Sequence, residues 1–178
     1  MRIVITGSPG TGKSVVAKLL SKKLGLELVS IKDIVEQKKL SSGREHEVDI
    51  KKLEAAMRFL QRKKNYVVEG HLACELMLPA DFIFILRTHP DILRQRMAKR
   101  RYRKKKIQEN LMAEMLDYCT QRVGMVYRKR PLELDTTSKT PKESASEMEK
   151  AIKQKKKKLD SVNYSKELKE YLRLGRSA

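Results

Sequence analysis

The chain has 178 residues, the size of one domain, and 40% of them are hydrophobic, close to the globular average of about 45–50%. Global disorder is excluded. Lys and Arg number 41 against 22 Asp and Glu, a net charge of +19 with pI near 10.0, which favours a polyanionic partner such as nucleotide, nucleic acid or ribosome. Two cysteines, Cys74 and Cys119, without CxxC spacing, argue against a metal cage or a disulfide-stapled scaffold. The opening MRIVITGSPGTGK does not read as a signal peptide, and no apolar run approaches the ~18 residues a membrane span needs. The expectation is a soluble cytosolic protein, nuclear if the source is eukaryotic, with no membrane partner.

In chain order, Ile3 to Thr6 is a short β-branched run that leads into glycines. Val15, Val16, Leu19, Leu20 and Leu24 then recur at helical spacing up to a stop at Gly25. Leu26 to Ile31 predicts a second strand, and Asp33 an N-cap for the apolar-periodic stretch after it. Ser41-Ser42-Gly43 predicts a turn. Ile50, Leu53, Met57 and Leu60 mark one helix face, Tyr66 to Val68 a third strand, and the uniformly apolar Phe82 to Leu86 a buried parallel fourth. A helix over about Pro90 to Arg101, a basic turn and a longer helix over about Ile107 to Tyr127 follow. Leu132 to Leu134 is a fifth strand; Pro141 opens a helix running into Lys155–Lys158, and residues 165–174 form a last short helix. Alternation of this kind predicts a parallel sheet covered on both faces.

The charge is local. Residues 87–106 carry ten bases against Asp91, and residues 149–178 carry ten against four acids, so these two stretches hold +15 of the +19. The run at 155–158 reads as a solvated helix face or as an RNA contact. Aromatic residues are scarce, which argues against stacking recognition of single strands.

The strongest motif is Gly7-Ser8-Pro9-Gly10-Thr11-Gly12-Lys13-Ser14, a GxxxxGK[ST] match between a predicted strand and helix. Glycines let successive amide hydrogens turn inward toward phosphate oxygens, and the helix N-terminus adds its dipole there. Gly10, Thr11, Gly12, Lys13, Ser14 and Val15 form the candidate ATP-phosphate cradle, Lys13 supplying charge at the β/γ-phosphates and the Ser14 hydroxyl a Mg²⁺ ligand. Glu69 and His71 end the third strand two residues apart, on the same side of an extended chain. Glu69 is the candidate second magnesium or water-positioning group, and His71 a polar group orienting the attacking oxygen.

With these residues placed, the chain resembles nucleoside monophosphate kinases, and more closely the adenylate kinase isoenzyme 6 family, which includes the coilin-interacting nuclear ATPase and archaeal homologues. The resemblance covers roughly residues 1–155 and rests on GSPGTGKS (7–14), VSIKDI (29–34), VVEGHLA (67–73) and FILRTHPDILRQRMAKRRYRKKKIQEN (84–110). It implies a three-layer α/β P-loop NTPase fold with a five-stranded parallel sheet, one kinase domain over 1–178. Within it, about 30–53 would bind the monophosphate, about 99–109 would form a lid with Arg100 on the phosphates, Thr136 to Pro141 would border the adenine, and about 155–178 would be a basic extension. The implied activity is broad-specificity transfer from ATP to a nucleoside monophosphate such as AMP, with ATP hydrolysis alongside. The implied partners are the small ribosomal subunit, through a platform ribosomal protein and rRNA. The second reading is an ATPase-switched assembly factor with residual kinase activity, and the third a small-metabolite kinase such as shikimate kinase. Two departures stand out. Ordinary adenylate kinases grip the monophosphate with an arginine where Glu36 stands, and with another in the segment occupied here by Glu69-Gly70-His71-Leu72-Ala73. Lys38, Lys39, Arg44 and Arg58 are the candidate substitutes.

Overall fold

The computed structural model describes residues 1–43 and 47–175. Arg44, one of the candidate acceptor cations, and Arg176, one of the bases of the C-terminal stretch, lie outside the described residues.

Five parallel strands form the central sheet: β1 (Arg2–Thr6), β2 (Glu27–Ser30), β5 (Tyr66–Glu69), β6 (Phe82–Arg87) and β7 (Leu132–Asp135), in spatial order β2-β5-β1-β6-β7. β3 (Ser41–Ser42) and β4 (Glu47–Val48) make a small antiparallel hairpin apart from it, where the sequence predicted only a turn. The helices are α1 (Lys13–Leu24), α2 (Ile31–Gln37), α3 (Ile50–Met57), α4 (Pro90–Lys99), α5 (Lys104–Met115), α6 (Tyr118–Tyr127), α7 (Pro141–Lys153) and α8 (Ser165–Gly175).

Strand alternation builds two cores at once. Val4, Val68, Ile83 and Ile85 point to one face, against α2, α3 and α6; Ile3, Ile5, Val67, Phe84 and Leu86 point to the other, against α1 and α7. Helices therefore cover both faces, which is the three-layer α/β arrangement expected. Register places β1 between β5 and β6, with Ile5 opposite both Glu69 and Phe84. The C-terminal ends of these strands, and the loops that follow them, thus converge at one edge of the sheet, where ligands of open α/β sheets bind.

Three local predictions need correction. The α2 cap is Ser30, whose hydroxyl accepts from the Asp33 amide at 3.3 Å, so Ile31 belongs to the helix and not to the strand. Leu60 lies in a 3₁₀ turn (Arg58–Gln61) that extends the α3 face. The long helix over 107–127 is two helices: Asp117 adopts φ +53° and breaks it, although the apolar spacing runs on through Leu111, Met115, Cys119, Val123 and Tyr127.

The final thirty residues pack in part. Tyr164 is buried, and with Leu93, Met97, Leu111 and Met115 it forms a third apolar cluster, against which Leu168 and Tyr171 of α8 rest.

Candidate active site

At the β1–α1 junction the sequence dictates a tight curl. Gly7 has φ +132°, and a Cβ there would stand 2.4 Å from the Leu86 carbonyl oxygen, so only glycine fits. Gly12 at φ +96° caps α1 without a side chain, which leaves the first amides of the helix directed outward. Lys13 is buried, and loss of hydration lowers its pKa from the usual 10.5. Its Nζ donates to the Ser8 carbonyl at 2.9 Å.

The loop forms the floor of a cavity of about 1100 Å³ bordered by Gly10, Gly12, Lys13, Ser14, Val15, Glu69, His71 and Arg100. All eight predicted cradle and catalytic positions other than Thr11 thus come from three separated segments to border one cavity. Ser14 Oγ donates to Glu69 Oε2 at 3.1 Å, across the β1–β5 gap. Thr11 does not border the cavity: it is buried beneath the loop, its hydroxyl donating to the Ser8 carbonyl at 2.9 Å.

Glu69 and His71 fall on the same side because Gly70 keeps the chain extended between them. A Cβ at Gly70 would stand 2.8 Å from Ile31 Cβ, so α2 can approach only a glycine. The His71 imidazole opens on the cavity. Restricted hydration there, then the Lys13 and Lys106 charges, press its pKa down to about 4, so it is neutral at pH 7.

Opposite the loop the cavity is bordered by Lys32, Glu36 and Lys39 from the α2 region and by the β3–β4 hairpin. Glu36 thus borders the cavity, ion-paired at 3.5 Å with Lys32. Of the candidate substitutes, Lys39 borders the cavity, from a backbone at φ +51°; Lys38 and Arg58 do not. Lys32 and Asn110 went unrecognised in the sequence as cavity residues, whereas Lys106 lies in the segment about 99–109 expected to form the lid. The buried Asn110 lies in the Glu109-Asn110 pair that helped carry the resemblance, which was the available signal.

Thr136 to Pro141, expected at an adenine, do not border this cavity. Thr136 is buried, with its hydroxyl within reach of the Thr11 carbonyl, the Arg87 carbonyl and Thr88 Oγ1, and Arg96 donates to the Thr136 carbonyl at 2.8 Å. Ser138 and Lys139 border a second cavity of about 490 Å³ with His89, Asp160 and Tyr164.

Arg87 was counted with the basic stretch on sequence, yet it is only 2% exposed. Glu114 at 2.8 Å, Asp117 at 2.5 Å and Glu133 at 2.6 Å neutralise it, and the Tyr164 ring covers it with its centroid 5.2 Å away. The surface charge of 87–106 is smaller than composition implies.

Among the described residues no group of three or more His, Cys, Asp or Glu side chains could hold a metal ion. The Ser14 hydroxyl and Glu69 carboxylate are hard oxygen donors, a pair that fits Mg²⁺ arriving with a phosphate ligand and not a metal caged by protein alone. No helix among the described residues is long and apolar enough to cross a membrane.

Comparison with known proteins agrees with this geometry. A family model described as an AAA domain, AAA_18, matches residues 3–117. A protein of Methanocaldococcus jannaschii named "Putative adenylate kinase" is 35% identical over 181 residues, covering 98% of each chain. A relative of the same name from Methanothermobacter thermautotrophicus is 40% identical over 149 residues, covering 80% of this chain and 84% of its own. Among solved structures, a shikimate kinase from Acinetobacter baumannii in complex with shikimate superposes with TM-score 0.67 at 17% identity, over 87% of this chain and 94% of that one. At that identity the likeness is one of fold.

Proposed function

The chain belongs to the adenylate kinase isoenzyme 6 family, with these archaeal relatives, and from that premise we propose that it transfers the γ-phosphoryl group of ATP to a nucleoside monophosphate, AMP foremost, in one kinase domain. The observation that carries the reading is the convergence at the cavity floor: buried Lys13, and Ser14 hydrogen-bonded to Glu69, with Arg100 and Lys106 at the border. Lys13 and the loop amides hold the donor phosphates, and Arg100, in the lid over about 99–109, offsets charge that develops on the transferred group. Ser14 and Glu69 would hold the Mg²⁺ that accompanies ATP, which when bound would supply further charge neutralisation. Neutral His71 orients the attacking oxygen.

The acceptor side, about 30–53, has Glu36 at the cavity in place of one bidentate arginine, with Lys39 on the same border as a substitute cation. A lysine is a point charge and not a fork, so monophosphate capture is weak and unselective, and water competes as acceptor. ATP hydrolysis therefore accompanies the kinase reaction. The exposed bases of 99–106 and 155–158 support a role in small-subunit maturation through a platform ribosomal protein and rRNA, since each phosphate contact adds salt-dependent affinity.

A coupled assay of ATP turnover with and without AMP tests this directly. AMP should accelerate ADP release, and Lys13→Ala should lower both turnovers about 10²–10³-fold. Turnover indifferent to AMP sinks the kinase reading. With the same preparation, absence of co-sedimentation with small subunits at low salt sinks the ribosomal one.

A further inference from the structure

Lys106, Asn110 and Glu114 recur every four residues along α5 and so share one side of that helix. Lys106 and Asn110 border the nucleotide cavity, and the Asn110 side-chain amide donates to the Lys106 carbonyl at 2.6 Å. One turn further, Glu114 is 2% exposed. Its Oε2 accepts from Ser8 Oγ at 2.5 Å, and its Oε1 from Arg87 Nε at 2.8 Å and the Thr88 amide at 3.1 Å. Burying a carboxylate is costly unless it is paired and hydrogen-bonded, and here every donor is supplied by the protein. Because Arg87 balances its charge, Glu114 does not act on phosphates as a bare anion. What it contributes is geometry.

Ser8 is the hub of the loop. Its carbonyl accepts both from Lys13 Nζ and from Thr11 Oγ1, each at 2.9 Å. We propose that Glu114 is a positioning residue for the ATP phosphates: it fixes Ser8, and through Ser8 the curve of the phosphate-binding loop, to the helix whose opening turns carry the basic border of the cavity. Loop and basic border are thereby held in one register by α5. This rests on the kinase reading above, and it adds a residue that neither the loop motif nor the cavity border contains.

ATP·Mg²⁺ and AMP affinities are measured by calorimetry for the natural sequence, Ser8→Ala, Glu114→Gln and the double variant. Ser8→Ala removes one hydroxyl and leaves the Arg87–Glu114 pair in place, so it decides the matter even if Glu114→Gln fails to fold. Ser8→Ala should weaken ATP·Mg²⁺ binding about tenfold while AMP affinity stays near that of the natural sequence, and it should lower the melting temperature modestly because a buried Glu114 oxygen loses its donor. The double variant should bind ATP·Mg²⁺ no worse than the weaker single, as for two residues acting as a unit. Unchanged ATP affinity in Ser8→Ala, equal losses for ATP and AMP, or losses that multiply in the double variant overturn the proposal. A natural sequence that takes up no ATP·Mg²⁺ brings down the kinase reading with it, whereas normal uptake by both it and Ser8→Ala brings down the positioning role alone.

Discussion

At His71 the cavity wall and two ammonium groups act in the same direction, holding the imidazole neutral with a pKa of about 4 against an ordinary 6.5. Between those values the unfolded chain binds a proton that the native chain does not, so the neutral imidazole stabilises the fold fully above about pH 6.5. That stabilisation is lost as pH falls toward 4. Thermal midpoints recorded from pH 7 to 4 should fall, and His71→Asn should reduce that slope by one proton's worth. An identical slope in the variant would place the acid sensitivity elsewhere. Lys13 obeys the same physics: burial lowers the pKa of its ammonium, and the Ser8 carbonyl gives it a partner. Neither environment is written in the local sequence alone, because the β1–α1 loop, the end of β5 and α5 meet at the sheet edge to form them.

Among the elements, α6 shows how tertiary contacts override a helical pattern. It is entered through Asp117 at φ +53° and left through Arg128 at φ +50°. The Asp117 conformation is compensated, since its carboxylate takes an Arg87 N–H at 2.5 Å. Arg128 is exposed, and left-handed backbone costs an ordinary residue about 1–2 kcal/mol. Arg128→Gly should therefore raise stability by up to about 1 kcal/mol, part of the relief being offset by greater freedom of the unfolded chain. Denaturant unfolding reads this; a lower midpoint would show that the Arg128 side chain contributes more than its backbone costs. At α7 local chemistry and structure agree. Thr140 and Glu143 close a reciprocal capping box around Pro141, a start that the proline alone had marked.

On the scale of the whole molecule, the buried ion-pair centre at Arg87 joins β6, α5, β7 and the C-terminal segment. Glu114 comes from α5, Asp117 from the α5–α6 break, Glu133 from β7, and Tyr164 covers the guanidinium. Tyr164 thus anchors the C-terminal segment to the core. Tyr164→Ala should cost about 3 kcal/mol, combining a cavity with loss of the cation–π contact. Chemical denaturation with an unchanged m-value would verify this, and a loss below about 1 kcal/mol would mean that the segment rests on the body without supporting it. Arg87, enclosed by this centre, does not reach a polyanion at the surface, so charge counted along the chain overstates the charge on the surface.

The five strands and their parallel pairing, most of the helices flanking them, and the phosphate-binding loop were legible in the linear chain, because strand alternation, helical spacing and a glycine-rich curl are local consequences of residue type. The order β2-β5-β1-β6-β7 was not. Ser14 and Glu69 were legible as a pair, once a parallel sheet was inferred. The break at Asp117, the burial of Arg87, the separation of Thr136–Pro141 from the main cavity and the grip of Glu114 on Ser8 were decided by the tertiary structure alone. Each depends on partners 27 to 106 residues away along the chain, and no local pattern encodes which distant carboxylate a buried cation will find.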